Sequence, residues 1–314
     1  MADVETENRA FWAWDQYWRD GRLASCGGEG GAAYQAAITE SWRAFFRALP
    51  EGSRILDVCT GNGAIARVAE DTARAQGIRF EIEAFDGAVI AASDPGGMIH
   101  FRSRVRAESL PYAEAAFDVV VGQYGLEYTA MEQSLPELAR VSAPDCRVRL
   151  MTHAREGVVV ELAGRQLGDA RQVRASGIFE AARALAGARA GGTPESALQG
   201  MKDRYNETVR RLEQAAAASV EPEIYSNVCG VLTHALSNQA RVGAEPVLNK
   251  IREAVDNVDA HEARLSAMQD AALDEAGARA LADRIAGLWR HEVRVEAARR
   301  GDDTLFGWII ESRA

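Results

Sequence analysis

The sequence predicts an α/β protein. A mostly parallel, seven-stranded sheet carries helices on both faces, closes with an antiparallel hairpin and is interrupted by an all-helical insertion. Three observations predict it. From Arg54 to Thr152, short apolar runs alternate with amphipathic stretches, the pattern of a parallel sheet with crossover helices. A tight turn, Gly61-Asn62-Gly63, joins the first run to the first helical stretch of that region. After Arg155, roughly 130 residues space their apolar positions by three and four and offer no convincing strand, before two short alternating runs close the chain.

The elements follow in order. Residues 8–20 hold a dense aromatic group, Phe11, Trp12, Trp14, Tyr17 and Trp18. Residues 33–48 place Tyr34, Ile38, Trp42, Phe45, Phe46 and Leu49 at helical spacing, with Pro50 and Gly52 as the stop. Between them the glycine-rich stretch 26–31 reads as a flexible loop. Strands are expected at 54–58, 80–85, 98–101, 117–122 and 147–152, with helices at 63–76, ended by Gly77, and at 131–141. The unbroken Val119-Val120-Val121 marks a strand buried on both faces. Residues 292–297 and 305–311 alternate around Arg300-Gly301-Asp302-Asp303, a hairpin signature. Within the helical block, 181–192 is rich in Ala and Gly and reads as a linker.

Composition narrows the function classes. At 314 residues with 47% apolar content, the chain is long enough for about two domains and an ample core. The formal net charge of −10 disfavours nucleic acid as a partner. Four cysteines at 26, 59, 146 and 229 form no close pair, which fits a reducing compartment and argues against zinc or a disulfide framework. No histidine pair has metal-ligand spacing, so no metal is expected. With no apolar leader and no long apolar run, a cytoplasmic location and no membrane association are expected.

The chemistry concentrates at the carboxyl ends of the expected strands. Asp57 ends the first strand, and the run Cys59-Thr60-Gly61-Asn62-Gly63 then turns into a helix. Glycines let a ligand approach the backbone there, and an acid beside the turn suits an ammonium better than a pyrophosphate. Asp86-Gly87 ends the second strand about 20 residues further on, where an acid grips ribose hydroxyls. The stretch Ala107-Glu108-Ser109-Leu110-Pro111-Tyr112 precedes Phe117-Asp118-Val119-Val120-Val121.

In their order and separation these three segments resemble the motifs of the class I S-adenosylmethionine-dependent methyltransferases of the small-molecule type, over about half the chain. The resemblance implies a Rossmann-like seven-stranded methyltransferase sheet with a C-terminal antiparallel hairpin and an inserted all-helical domain. It also implies S-adenosyl-L-methionine as the cofactor, held by Asp57, Cys59, Gly61, Asn62, Gly63, Asp86, Gly87, Ala107, Glu108 and Gln123. Cys59 stands where that family usually has its first glycine. Arg106 stands where an acid is usual, which leaves Glu108 or the Ala107 backbone for the adenine. In that fold the acceptor meets the methyl group near the loops after strands four and five, which here supply Gln123, Tyr124, Glu127, Tyr128 and His153. His153 and Glu127 are the candidate acid/base residues, because a neutral imidazole or a carboxylate can take a proton from a hydroxyl or amine.

The expected organisation is a helical cover at 1–50, a donor-binding domain at 51–154 and 288–314, and an inserted helical domain at 155–287 that walls the acceptor pocket or mediates dimerisation. The glycine loop would let the cover move. Leu248, Ile251, Val255 and Val258 repeat at three and four, a seam suited to a homodimer. The expected activity is methyl transfer to a small organic acceptor. A protein or RNA methyltransferase is one rival, and a non-catalytic regulatory protein that binds the donor and acts through its helices is the other.

Overall fold

The computed structural model describes residues 4–19, 21–22, 31–219, 222–301 and 303–313. The glycine loop expected as a hinge falls, over 26–30, outside the described residues. Two helices lead, α1 (Val4–Arg19) and α2 (Gly31–Arg47). Then come β1 (Arg54–Val58), α3 (Ala64–Gln76), β2 (Glu81–Asp86), β3 (Ile99–Ser103), β4 (Phe117–Gln123), α4 (Met131–Val141) and β5 (Ser142–Thr152). Seven helices follow: α5 (Val158–Ala175), α6 (Ile178–Ala190), α7 (Glu195–Ala218), α8 (Glu223–Ser237), α9 (Gln239–Val242), α10 (Ala244–Ala271) and α11 (Glu275–Trp289). The hairpin β6 (Glu292–Arg299) and β7 (Leu305–Arg313) ends the chain.

The seven strands form one sheet in the order β3-β2-β1-β4-β5-β7-β6. The first five run parallel, and β7 lies antiparallel between β5 and β6. The order reverses between β1 and β4, so the ends of these strands open a crevice where ligands bind in such sheets. Both strands are buried along most of their length (Ile55, Leu56, Val58, Val119, Val120, Val121), because α-helices cover both faces. Gly77 caps α3 with φ +70°, and its N–H bonds the Arg74 carbonyl. α2 seals one face through Trp42, Phe45 and Phe46, with the Arg149 guanidinium against the rings of Trp42 and Phe45.

The chain divides into two compact units, residues 1–162 with 267–314, and residues 163–266. The helical unit is therefore shorter than the block expected at 155–287. α11 belongs with the sheet: Leu281, Ala282, Ile285 and Trp289 share a core with Val120, Leu138 and Ile310. Helical periodicity states that a face is buried but not against what. Within the helical unit, Phe179, Leu185, Leu212, Tyr225, Leu232 and Ile251 build a core of their own.

Three further expectations change. The stretch at 181–192 is not a linker, since most of it lies in α6 and buries Ala182, Leu185 and Ala186; alanine is the best helix former. Strand β5 starts at Ser142, five residues before the expected 147, directly from the end of α4. The expected dimer seam turns inward: Ile251 and Val258 are buried in the helical core, with Leu248 and Val255 packed on it.

Candidate functional site

The glycine turn follows β1 with its backbone bent by residue type. Cys59 has φ +54°, Gly61 +55° and Gly63 +87°. For Cys59 this is a conformation few side chains adopt, and Tyr124 after β4 adopts it too, at φ +56°. The two turns touch. A Cβ on Gly125 would stand 2.3 Å from the Cβ of Cys59, so only glycine admits this approach. Backbone strain thus gathers at the switch point of the sheet.

Asp57 is buried at the end of β1. Its Oδ2 accepts from the Thr60 hydroxyl (2.5 Å) and the Ala66 N–H (3.2 Å). Its Oδ1 is buried with no hydrogen-bond partner among the described residues. Burial pushes this carboxyl up to about 7, against those two bonds, with the nearby Asp86 charge adding to the rise. A buried acceptor lacking a donor is costly, and a cationic donor group would satisfy it. Asp86 is also buried. Its Oδ2 accepts from Gly61 N–H (2.9 Å) and its Oδ1 from Ala88 N–H (2.8 Å). Burial raises it to about 6, and the two N–H bonds oppose the rise. Each carboxylate oxygen has a second lone pair for a ribose hydroxyl.

The close approach that the glycines permit is taken here by aromatic rings. A Cβ at Gly61 would meet the Trp18 ring at 2.5 Å, at Gly87 the Phe11 ring at 2.4 Å, and at Gly63 the Phe101 ring at 2.5 Å. Helix α1 therefore lies on the glycine turn. Asn62 clips it there: its amide nitrogen donates to the carbonyls of Trp18 (2.9 Å) and Arg22 (2.8 Å), while its oxygen accepts from Ala91 N–H (2.9 Å). Asp15 adds a second clip, to Val89 N–H (2.7 Å) and the Arg104 guanidinium (2.7 Å). Asp15 carried no motif that could have marked it. Trp18 stood out only as part of the aromatic group.

The remaining expected residues divide. Ala107 is buried, and Glu108 accepts from Ala130 N–H (2.9 Å) and pairs with Arg106 (3.4 Å). Those bonds hold the Glu108 carboxyl below its ordinary value even though burial acts the other way. The Gln123 side-chain oxygen accepts from the Trp42 indole (2.7 Å), which ties it to α2. The Cys59 thiol is pushed well up by burial and by Asp86, Glu127, Glu108 and Asp57, so it stays neutral.

Glu127 and His153, named separately from the sequence, come together. Glu127 sits in a single 3-10 turn (Leu126–Tyr128) just past β4, and His153 follows β5. Both are buried. Glu127 Oε1 accepts from the His153 backbone N–H (2.9 Å) and lies 2.8 Å from its Nδ1. Tyr124 stacks on the imidazole at 4.2 Å between centroids, and Tyr128 meets it edge-on at 5.9 Å. Trp14 of α1 meets Tyr128 in turn at 5.5 Å. One helix thus touches both the glycine turn and the wall of the histidine. Among the described residues, no three His, Cys, Asp or Glu side chains group to hold a metal ion, and no helix is long and apolar enough to cross a membrane.

No family model matches the chain, and no curated protein resembles it significantly in sequence. Solved structures resemble it in part. The 4+2 cyclase SpnF shares 22% identity over 48% of this chain and 60% of its own, with a TM-score of 0.37. A methyltransferase from Mesorhizobium loti, dependent on S-adenosylmethionine, shares 20% over 38% of this chain and 55% of its own (TM-score 0.32). The geranyl diphosphate C-methyltransferase of Streptomyces coelicolor, crystallised with S-adenosyl-L-homocysteine, shares 15% over 38% and 46% (TM-score 0.32). The match spans less than two thirds of each of these chains. Strand order and the reversed penultimate strand make the sheet unit the Rossmann-like fold of the class I S-adenosylmethionine-dependent methyltransferases.

Proposed function

We propose that the protein transfers a methyl group from S-adenosyl-L-methionine to a small organic acceptor. The observation that carries this reading is the buried Asp57 oxygen beside the glycine turn, which has no partner among the described residues, with Asp86 at the neighbouring strand end. Asp57 would hold the donor's ammonium and Asp86 its ribose, with Ala107 and Glu108 near the adenine. The Gly61 and Gly87 backbones would flank the donor. Asn62 and Gln123 act as clips to α1 and α2 in this structure, so their side chains support the site rather than line it. Trp18 would form a wall of the donor site or swing away to admit the donor.

When bound, the donor supplies a sulfonium-activated methyl group. The protein's own tasks are then to position the acceptor, exclude water and accept a proton where the acceptor has one to lose. His153 and Glu127 stand at the acceptor side, and α1 excludes water. The helical unit is proposed to help choose the acceptor. In support, the chain enters that unit at residue 163, ten residues beyond His153.

Incubating the protein with methyl-tritiated donor and a size-fractionated cell extract tests the reading. Label is expected in the small-molecule fraction. Label in protein or RNA would replace the acceptor class. Donor binding without any transfer would favour the regulatory reading.

A further inference from the structure

We propose that the edge strand β6 docks a second copy of this chain, the two sheets joining through an antiparallel β6–β6 pair with its two-fold axis at Val295. This dimer does not depend on the methyl-transfer reading. β6 (Glu292–Arg299) ends the sheet and, among the described residues, pairs with β7 alone. Every second residue along it therefore turns its backbone N–H and C=O outward, away from β7. The opposite edge strand, β3, is guarded. It is only five residues long, and the Asp94 carboxylate takes its Ile99 N–H (3.0 Å). β6 is eight residues long and holds no proline. It stays regular from Glu292 to Ala298, where a register shift before Arg299 ends the span. An edge this open either carries charges that repel a further strand or accepts one.

The charges decide between these outcomes. Glu292, Arg294 and Glu296 are exposed on one face and alternate in sign. In a two-fold antiparallel pair, each residue faces the one equally far beyond the axis. With the axis at Val295, Arg294 faces Glu296 of the second copy, and this pair occurs twice. With the axis at Arg294, that arginine meets its own copy and Glu292 meets Glu296. With the axis at Glu296, that glutamate meets its own copy. An axis between residues, just beside Val295, sets Arg294 and Glu296 against Val or Ala. Opposite charges across a strand pair stabilise it and like charges oppose it, so the register centred on Val295 is the one selected. Inside the chain these two side chains are poorly matched. Arg294 lies across from Glu311, which Arg147 and Arg149 engage, and its own ion pair is with Glu292 at 3.9 Å. Glu296 lies across from Ile309. On the other face, Val293 and Val295 are half-buried against the sheet core and Ala297 is exposed. The same register brings Val295 onto Val295 and Val293 onto Ala297 of the second copy. Exposed ion pairs contribute little, so the charges fix the register, while backbone bonds and the apolar row supply the affinity. One strand pair is a small interface, so the dimer is reversible.

Sedimentation equilibrium of the full chain tests this on the wild type, Arg294→Glu, Glu296→Arg and the variant carrying both substitutions. The wild type is expected as a dimer at about 100 μM and a monomer at about 1 μM. Each single substitution sets like charges against each other on both sides of the axis and should weaken the dimer at least about tenfold. Carrying both exchanges the signs, restores the two pairs and should return the dimer constant to within about threefold of wild type. Both side chains are exposed, so thermal unfolding should be close to wild type in every variant. Hydrogen exchange on the wild type requires no variant. Amides within Glu292–Ala298 should exchange more slowly at about 100 μM than at about 1 μM, and those of β3 should not change. A wild type that stays monomeric at the higher concentration, single variants that dimerise as well as wild type, a double variant as weak as the single ones, or a dimer with unchanged exchange in β6 would each overturn the pairing.

Discussion

Asp57 and Asp86 set the behaviour at the scale of single residues. Each is buried, and each carboxyl is raised, to about 7 and about 6. A folded-state pKa above the unfolded one means that the folded chain holds more protons between about pH 4 and pH 7. These two groups therefore weaken the unliganded fold as pH rises through that window. A cationic donor needs the ionised forms, so its binding should tighten as pH rises from about 5.5 to 8. The donor-induced rise in melting temperature should grow over the same range. A shift independent of pH would remove Asp57 from the donor site. Gly125→Ala makes a separate prediction. Its new methyl would collide with Cys59, and overpacking of this kind costs about 1–3 kcal/mol, seen as a lowered Tm in thermal unfolding. An unchanged Tm would mean that the strained turns can part freely.

At the scale of elements, α1 is the part most directly open to experiment. Trp18 lies on the glycine turn, so donor binding should change the intrinsic tryptophan fluorescence, and Trp18→Phe should remove most of that change. A change retained in full would mean that another tryptophan reports binding. Asp15→Ala breaks the clip to Val89 and Arg104 and should speed donor dissociation in stopped flow without lowering the melting temperature by more than a few degrees. The sheet was legible in the sequence wherever one local signal sufficed. The buried run of β4, Gly77 behind α3 and the alternation of β6 and β7 each announced their element. Elements that depend on distant partners were not. The first residues of β5, Ser142-Ala143-Pro144-Asp145, show no alternating apolar pattern and include a proline, so their extended form shows only through pairing of Ser142 with Phe117. α11 reads like any other helix of the block until the sheet claims its apolar face. The same limit applies to the site. Asp57, Asp86 and the glycines were marked by local spacing. The contact of Glu127 with His153 joins residues 26 apart and exists only because β4 and β5 are neighbours.

At the scale of the whole molecule, two compact units with separate cores predict two thermal transitions. S-adenosyl-L-homocysteine should raise only the transition of the unit that contains the sheet. The helical unit has its own internal anchor. Asp169 accepts from the hydroxyls of Ser219 (2.7 Å) and Tyr225 (2.8 Å). Asp169→Ala should lower the other transition, by an amount corresponding to about 1–3 kcal/mol. A single transition moved equally by ligand and by this substitution would mean that the units unfold as one. The account stands most directly on the donor site. Titration calorimetry of S-adenosyl-L-homocysteine into the wild type and Asp57→Asn, near pH 8, is the decisive measurement. The account predicts one site per chain in the wild type and a loss of at least about tenfold in affinity in the variant, the worth of a charge-assisted hydrogen bond. No binding by the wild type, or a variant within about twofold of it, would contradict the central claim.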